Sequence, residues 1–296
     1  MFYRRKIILA LLQLFDGQLE KIRIHKLIFL FTQKQLKREY DFIPYRFGCY
    51  SYTANLDMTT MVKKGILSEN EKYFEKIDNT DFINQLKETD LNLLKEVKAN
   101  FGKMSSTELM KYTYLNFPFY AINSELAVKI LTQEELDKVN NSRPLLDKTV
   151  LFTIGYEGIS LEEYLVRLLT NDIKILVDVR NNPLSMKYGF SKNQLKKYCE
   201  SLGIQYVHIP DVGIKSNQRQ KLNSQNDYDR LFDIYCKVNL SKTIDSQNHI
   251  LNLLIEHERI ALTCFEANIC QCHRKHLAEA ISRLIGTAFD FEVKHI

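Results

Sequence analysis

"TVLFTIGYEGISLEEYLVRLLTNDIKILVDVR", residues 149–180, decides the fold. A β-rich apolar run (149–155) passes through a glycine-containing turn into a stretch with apolar residues three and four apart, and a second apolar run (173–180) follows. That is the pattern of strand, helix, strand. Strands joined through a helix pair in parallel, with a right-handed crossover. Ser160 with Glu163, and further on Ser191 with Gln194, have the spacing of capping boxes at helix starts. Two more runs, "IQYVHIP" (204–210) and "RIALTCFE" (259–266), continue the alternation, and the last leads into the helical "HRKHLAEAISRLIG". Residues 146–296 are therefore expected to form an α/β domain on a parallel sheet.

Upstream of this region the pattern changes. Ile7, Ile8, Leu11, Leu12 and Phe15 share one helical face, and Ile24, Leu27, Ile28 and Phe31 repeat the spacing after a break at "DGQ". "YDFIPYRFGCYSYTANLDMTTMVKKGIL" then predicts an aromatic turn, a helix capped near Ser51 or Thr53, and a stop at Gly65. "LSENEKYFEKI" has the makings of a two-stranded wing. These parts fit a winged helix, one helix of which enters a DNA groove, and equally a protein-binding helical module. Residues 1–145 are read as this mainly helical recognition domain, and "NNSRPLLDKTV" as the punctuated boundary.

Composition limits the function classes. The chain of 296 residues has six cysteines, three single and three clustered, which is not the spacing of a disulfide framework. A reducing, cytoplasmic setting is expected. Arg4, Arg5 and Lys6 before "IILALLQLF" imitate a signal peptide, but Gln13 and the absence of a small-residue cleavage site favour a helix. No run reaches the ~20 apolar residues of a membrane span, so no membrane partner is expected. Residues 1–64 hold 12 Lys or Arg against 5 Asp or Glu, an excess of +7 in a chain whose total is +5. Such a basic segment points to DNA or RNA, or is simply a solvated lysine face.

In an open parallel sheet, ligands bind beyond the carboxyl ends of the strands. The unusual polar residues fall at those ends. The first strand exits into Gly155-Tyr156-Glu157-Gly158 and the second into Asp178-Val179-Arg180-Asn181-Asn182-Pro183. The third exits into Asp211-Val212-Gly213, and the fourth into Glu266 and "ANICQCHR". All four are expected on one rim.

"TIGYEG", "LVDVRNNPLS", a Phe-Ser-Lys helix start, "GIQYVHIPDVG" and "LTCFEANICQCHR" resemble, in order, the motifs of the bacterial family called domain of unknown function 488, over about residues 150 to 290. Cys264, Glu266, Cys272, His273 and Arg274 match its Cys-x-Glu strand end and Cys-His-Arg helix start, and Gly155, Tyr156, Asp178, Arg180, Pro183 and Ser185 match as well. Asp211-Val212-Gly213 stands where a Leu-Gly-Gly type turn is more usual. The resemblance implies a fold and a site, not a reaction. In the first half, "IRIHKLIFLFTQ", "YRFGCYSYTANLDMTTMVKKGIL" and "MSSTELMKYTYLNFPFYAINS" resemble the Panacea or SocA-like helical domain, with Gly48-Cys49-Tyr50-Ser51 at its Gly-Pro-Tyr-Ser turn. The two resemblances together imply phage defence or surveillance of DNA modification.

Several chemistries compete for the cysteine-rich stretch. The spacing C-x5-C-x-C-H lacks the two-residue knuckle of zinc sites, and Cys272 and His273, adjacent at a helix start, are expected to point apart, so no metal is expected. Cys270 and Cys272 are too close for an unstrained disulfide. Cys272 beside His273 and Arg274 is a candidate nucleophile, or else packs beneath the helix, and Cys264 is expected to pack within its strand. The favoured reading makes Asp178 and Glu266 the general acid and base, with Tyr156 and His273 as hydrogen-bonding partners. Gly155, Arg180, Ser185 and Arg274 would hold an anionic substrate. The alternative is an Asp-Arg and Glu-Arg network that closes the sheet edge. No GxGxxG or Walker A loop is present, so no nucleotide cofactor is expected. The expectation is a hydrolase or glycosidase-type enzyme acting on a modified base, nucleotide or phosphate group. The rival class is a non-enzymatic regulator that binds a small anionic ligand; a homodimer is a further expected partnership.

Overall fold

Gly65, at φ +66, ends the third helix where the sequence predicts, because a residue without Cβ tolerates the left-handed turn that stops a helix. In the computed structural model, which describes residues 1–219, 222–285 and 290–296, the chain forms two compact units, Met1–Arg143 and Pro144–Ile296. The first begins α1 (Tyr3–Leu14), β1 (Gln18–Glu20), α2 (Lys21–Thr32), β2 (Ile43–Tyr45), β3 (Gly48–Tyr50), α3 (Tyr52–Lys63), β4 (Leu67–Glu69) and β5 (Tyr73–Lys76). Helices α4 (Glu88–Phe101), α5 (Ser106–Asn116), α6 (Ala127–Ile130) and α7 (Gln133–Asn141) follow. Strands β1, β5 and β4 pair antiparallel in that order, so the wing forms and the connectivity is that of a winged helix with a β2–β3 hairpin inserted before α3. Ser51 caps α3, its side chain accepting the Ala54 N–H at 3.1 Å.

The basic excess of this unit is partly engaged internally. Arg4 and Arg5 both reach the buried Asp57, at 2.5 and 2.6 Å, and buried Lys26 donates to the carbonyls of Phe47 and Cys49. Lys63 and Lys64, at the end of α3, remain exposed, as does Lys72 in the wing, which pairs with Glu20 at 3.2 Å.

His25 is buried beside Lys26, its ring stacked on Tyr50 at 4.5 Å and its Nδ1 without a hydrogen-bond partner. Burial, aided by the Lys26 charge, pushes its pKa down from 6.5 to about 3. The unfolded chain therefore binds the proton that the folded chain refuses, and the stability present above pH 6.5 is lost as pH falls from there toward 3. Between pH 7.5 and 5 the loss from this group should be about 2 kcal/mol. Hydrogen exchange of the α2 amides at the two pH values measures it, and His25→Phe should flatten the difference.

The second unit contains β6 (Val150–Gly155), α8 (Leu161–Thr170), β7 (Ile175–Asp178), α9 (Lys192–Glu200), β8 (Gln205–His208), α10 (Gln225–Ile234), α11 (Ile244–His257), β9 (Arg259–Cys264), α12 (Arg274–Ile285) and β10 (Glu292–His295). All five strands are parallel in the order β10-β6-β9-β7-β8. Every residue of β6, β7 and β9 is buried, as expected for a parallel sheet covered on both faces. Ser160 caps α8 through the Glu163 N–H, whereas Ser191 does not cap α9: its hydroxyl donates to the Ser185 carbonyl. β10 went unread in the sequence because it is a short, exposed edge strand with no apolar run. Among the described residues no helix is long and apolar enough to cross a membrane.

Candidate active site

The topology places β9 between β6 and β7, with Cys264 opposite Gly155 and Thr263 opposite Asp178. The tip of β9 is therefore the middle of the rim, and the residues after it meet those after its two neighbours. The rim borders a cavity of about 340 Å³ lined by Tyr156, Arg180, Asn181, Asn182, Ser185, Arg219 and Cys264, among others.

Asp178 and Arg180, expected to act on a substrate, are bonded to each other. Asp178 is completely buried and accepts from Arg180 Nε at 2.8 Å, from Arg180 Nη2, and from the Tyr206 hydroxyl at 2.5 Å. Arg180 Nη1 donates to the Tyr156 hydroxyl and the Phe190 carbonyl, each at 2.9 Å. Burial works against the guanidinium charge, but Asp178 outweighs it and raises the Arg180 pKa. Both Asp178 oxygens are thus engaged within the protein, and of the two residues only Arg180 borders the cavity. Tyr156 belongs to the same network, its ring stacked on Phe190 at 4.3 Å.

Arg274, expected to hold an anion, is 1% exposed and its Nη1 donates to the Glu266 carbonyl at 2.6 Å, which braces the turn after β9. Gly155 has the complementary part: a Cβ there would lie 1.9 Å from the same Glu266 carbonyl oxygen. It is a close-approach glycine. Ser185 does line the cavity, with Oγ accepting the Lys187 N–H.

The other candidate site residues meet at the tip of β9. Cys264, expected to be inert packing, has its Sγ 3.0 Å from Glu266 Oε2 and 3.7 Å from His273 Nδ1. Cys272 and His273, expected to diverge, place Sγ and Nδ1 4.0 Å apart. The reason is local: Cys272 is extended (φ −129, ψ 134) and α12 opens only at Arg274, so neither side chain is splayed by a helical turn. His273 Nε2 lies 3.1 Å from the Val179 carbonyl, an acceptor, so Nε2 carries the hydrogen and Nδ1 presents its lone pair to the sulfurs. Cys264, Cys272 and His273 are thus three metal-type ligand atoms within 4.8 Å of one another. Cys270, one turn away, is exposed.

Arg219 joins this group, and sequence reasoning missed it. It donates to Glu266 Oε1 at 2.6 Å and to His273 Nδ1 at 3.2 Å, from a polar stretch, "KSNQR", that has no periodicity to mark it. The Cys272 thiol, then His273 and Arg219, pull the Cys264 thiol well below its ordinary range against the effect of burial. Burial and the neighbouring Cys264 push Cys272 up, and the same two causes raise the Glu266 carboxyl. The Cys264 thiol, the His273 imidazole, the Glu266 carboxyl and the Arg219 guanidinium meet at one strand tip.

Residues 160–281 match the family model described as Domain of unknown function DUF488, so the resemblance read from the C-terminal motifs holds over that span. No curated protein matches the sequence.

Proposed function

We propose that the C-terminal unit is a hydrolase-type enzyme acting on an anionic substrate, a nucleotide or nucleic acid, at the tip of β9. The observation that carries this reading is the meeting of Cys264, Glu266 and His273 beside a cavity whose walls offer Arg219, Asn181, Asn182 and Ser185. Glu266 is the general acid or base, its carboxyl pushed up by burial and by the neighbouring Cys264. Arg219 and the two asparagines bind the anion. Substrate delivery falls to the first unit, through α3 and a wing that presents Lys63, Lys64 and Lys72. Phage defence or surveillance of modified DNA is the setting suggested by the paired sequence resemblances alone.

Nucleotides and oligonucleotides, with and without modified bases, should be offered to the full chain and products followed by mass spectrometry. Glu266→Gln should reduce turnover about a hundredfold, the lower range for a general acid or base, with Tm unchanged. Oligonucleotide affinity should fall steeply with salt; a flat salt response removes the delivery role. No product from any of them, with the cavity still binding phosphate, makes the protein a regulator that holds a small anion.

A further inference from the structure

We propose that Cys264, Cys272 and His273 bind one zinc ion through Sγ, Sγ and Nδ1, leaving a fourth position for water. The distances already suit it. With Zn–S about 2.3 Å and Zn–N about 2.0 Å, tetrahedral geometry separates sulfur from nitrogen by roughly 3.6 Å. Nδ1 lies 3.7 Å from Cys264 Sγ and 4.0 Å from Cys272 Sγ. Among the described residues this is the one such group, and all three members are buried.

The imidazole is set for ligation. Zinc-bound histidines give their other ring N–H to a carbonyl or carboxylate, which fixes tautomer and orientation. His273 Nε2 stands in that relation to the Val179 carbonyl, at 3.1 Å, on the extension of the neighbouring strand. The scaffold is rigid as well, since Cys264 ends the central strand of the sheet and Cys272 and His273 lead directly into α12.

The cluster also attracts a cation: the Arg219 guanidinium lies 3.9 Å from Cys264 Sγ and 3.2 Å from Nδ1. A divalent ion at those atoms would displace it toward Glu266, which it already contacts at 2.6 Å. Two thiolates and an imidazole are soft ligands that select zinc over magnesium or calcium. Three protein ligands with an open position is the pattern of catalytic rather than structural zinc. Such an ion would acidify a water bound to it.

This inference occupies the cleft of the proposed activity, yet metal content is read without turnover, so the two fail separately. Protein purified without chelator should carry close to one zinc per chain by elemental analysis. The cobalt-substituted protein should show the intense d–d and thiolate charge-transfer bands of a tetrahedral site. Cys264→Ser, Cys272→Ser and His273→Ala should each reduce zinc at least tenfold, while Cys270→Ser, exposed and close by, should retain it. Since a core variant can misfold, near-ultraviolet circular dichroism of Cys272→Ser, and its recovery of cobalt binding at high metal concentration, separate lost ligand from lost fold. Zinc far below one per chain together with no cobalt spectrum overturns the proposal, as does a disulfide between Cys264 and Cys272, detected as two missing thiols in the denatured protein. Zinc present with fully active Glu266→Gln sinks the catalytic reading and leaves the metal site standing.

Discussion

Asp178→Ala should destabilise the C-terminal unit by about 3–5 kcal/mol, the usual consequence of removing one partner from a buried ion pair. Asp178 is completely buried and Arg180 is 5% exposed, so neither charge has water to fall back on. Without Asp178, the guanidinium loses the bonds from Nε and Nη2 and keeps only Tyr156 and Phe190 on Nη1, while the Tyr206 hydroxyl loses its acceptor as well. Urea denaturation followed by circular dichroism measures the effect. Arg180→Ala should cost about as much, and the double variant less than the sum of the two, because with both removed no isolated charge remains. Strict additivity would sink the idea that the pair acts as one unit. If instead both single variants keep their midpoint and lose only activity, Asp178 and Arg180 are substrate-handling residues after all.

Gly155→Ala should be the other severe change, at about 3 kcal/mol or more, the upper end of overpacking effects. The obstacle is backbone: the new methyl would lie 1.9 Å from the Glu266 carbonyl oxygen and 3.1 Å from Arg274 Nη2. A side chain could rotate away, but the turn after β9 must move, and Glu266 moves with it. Both midpoint and turnover should therefore fall together. Gly158→Ala is the control, since its Cβ meets nothing within 4 Å and only its φ of +78 is unfavourable. About 1–2 kcal/mol is expected there. Equal effects at the two glycines would show that the close approach at Gly155 is not the cause.

The contrast between these residues and the candidate reacting groups explains how much of the site could be read in advance. Asp178, Arg180, Tyr156, Cys264, Glu266, Cys272, His273 and Arg274 all lie where strand ends predict, because alternation of strand and helix puts loops at the rim whatever their side chains do. Their partners were not legible. Whether Arg180 faces a ligand or Asp178 depends on a bond that folds the side chain back onto the residue two before it. Nothing in "DVR" distinguishes the two. Arg219 is harder still, since it lies 45 residues from Cys264 in a loop whose composition is only polar.

Periodicity, a local property of the chain, was enough for the α/β class, the helical first half, the wing after Gly65 and the rim residues that directly follow the strand ends, though not for Arg219. The order of the strands was not local. Placing β9 between β6 and β7 brings Cys264 beside Gly155 and within reach of Arg219 and His273, and that order follows from how helices cover both faces of the sheet. Cys272 and His273 face inward together for a local reason, the extended backbone of Cys272 ahead of a helix that opens only at Arg274, which their adjacency in sequence does not reveal. Side chains three or four residues apart can be assigned to a face from the sequence; those that meet only across three strand ends are brought together by the tertiary fold, which fixes their distances and with them the chemistry.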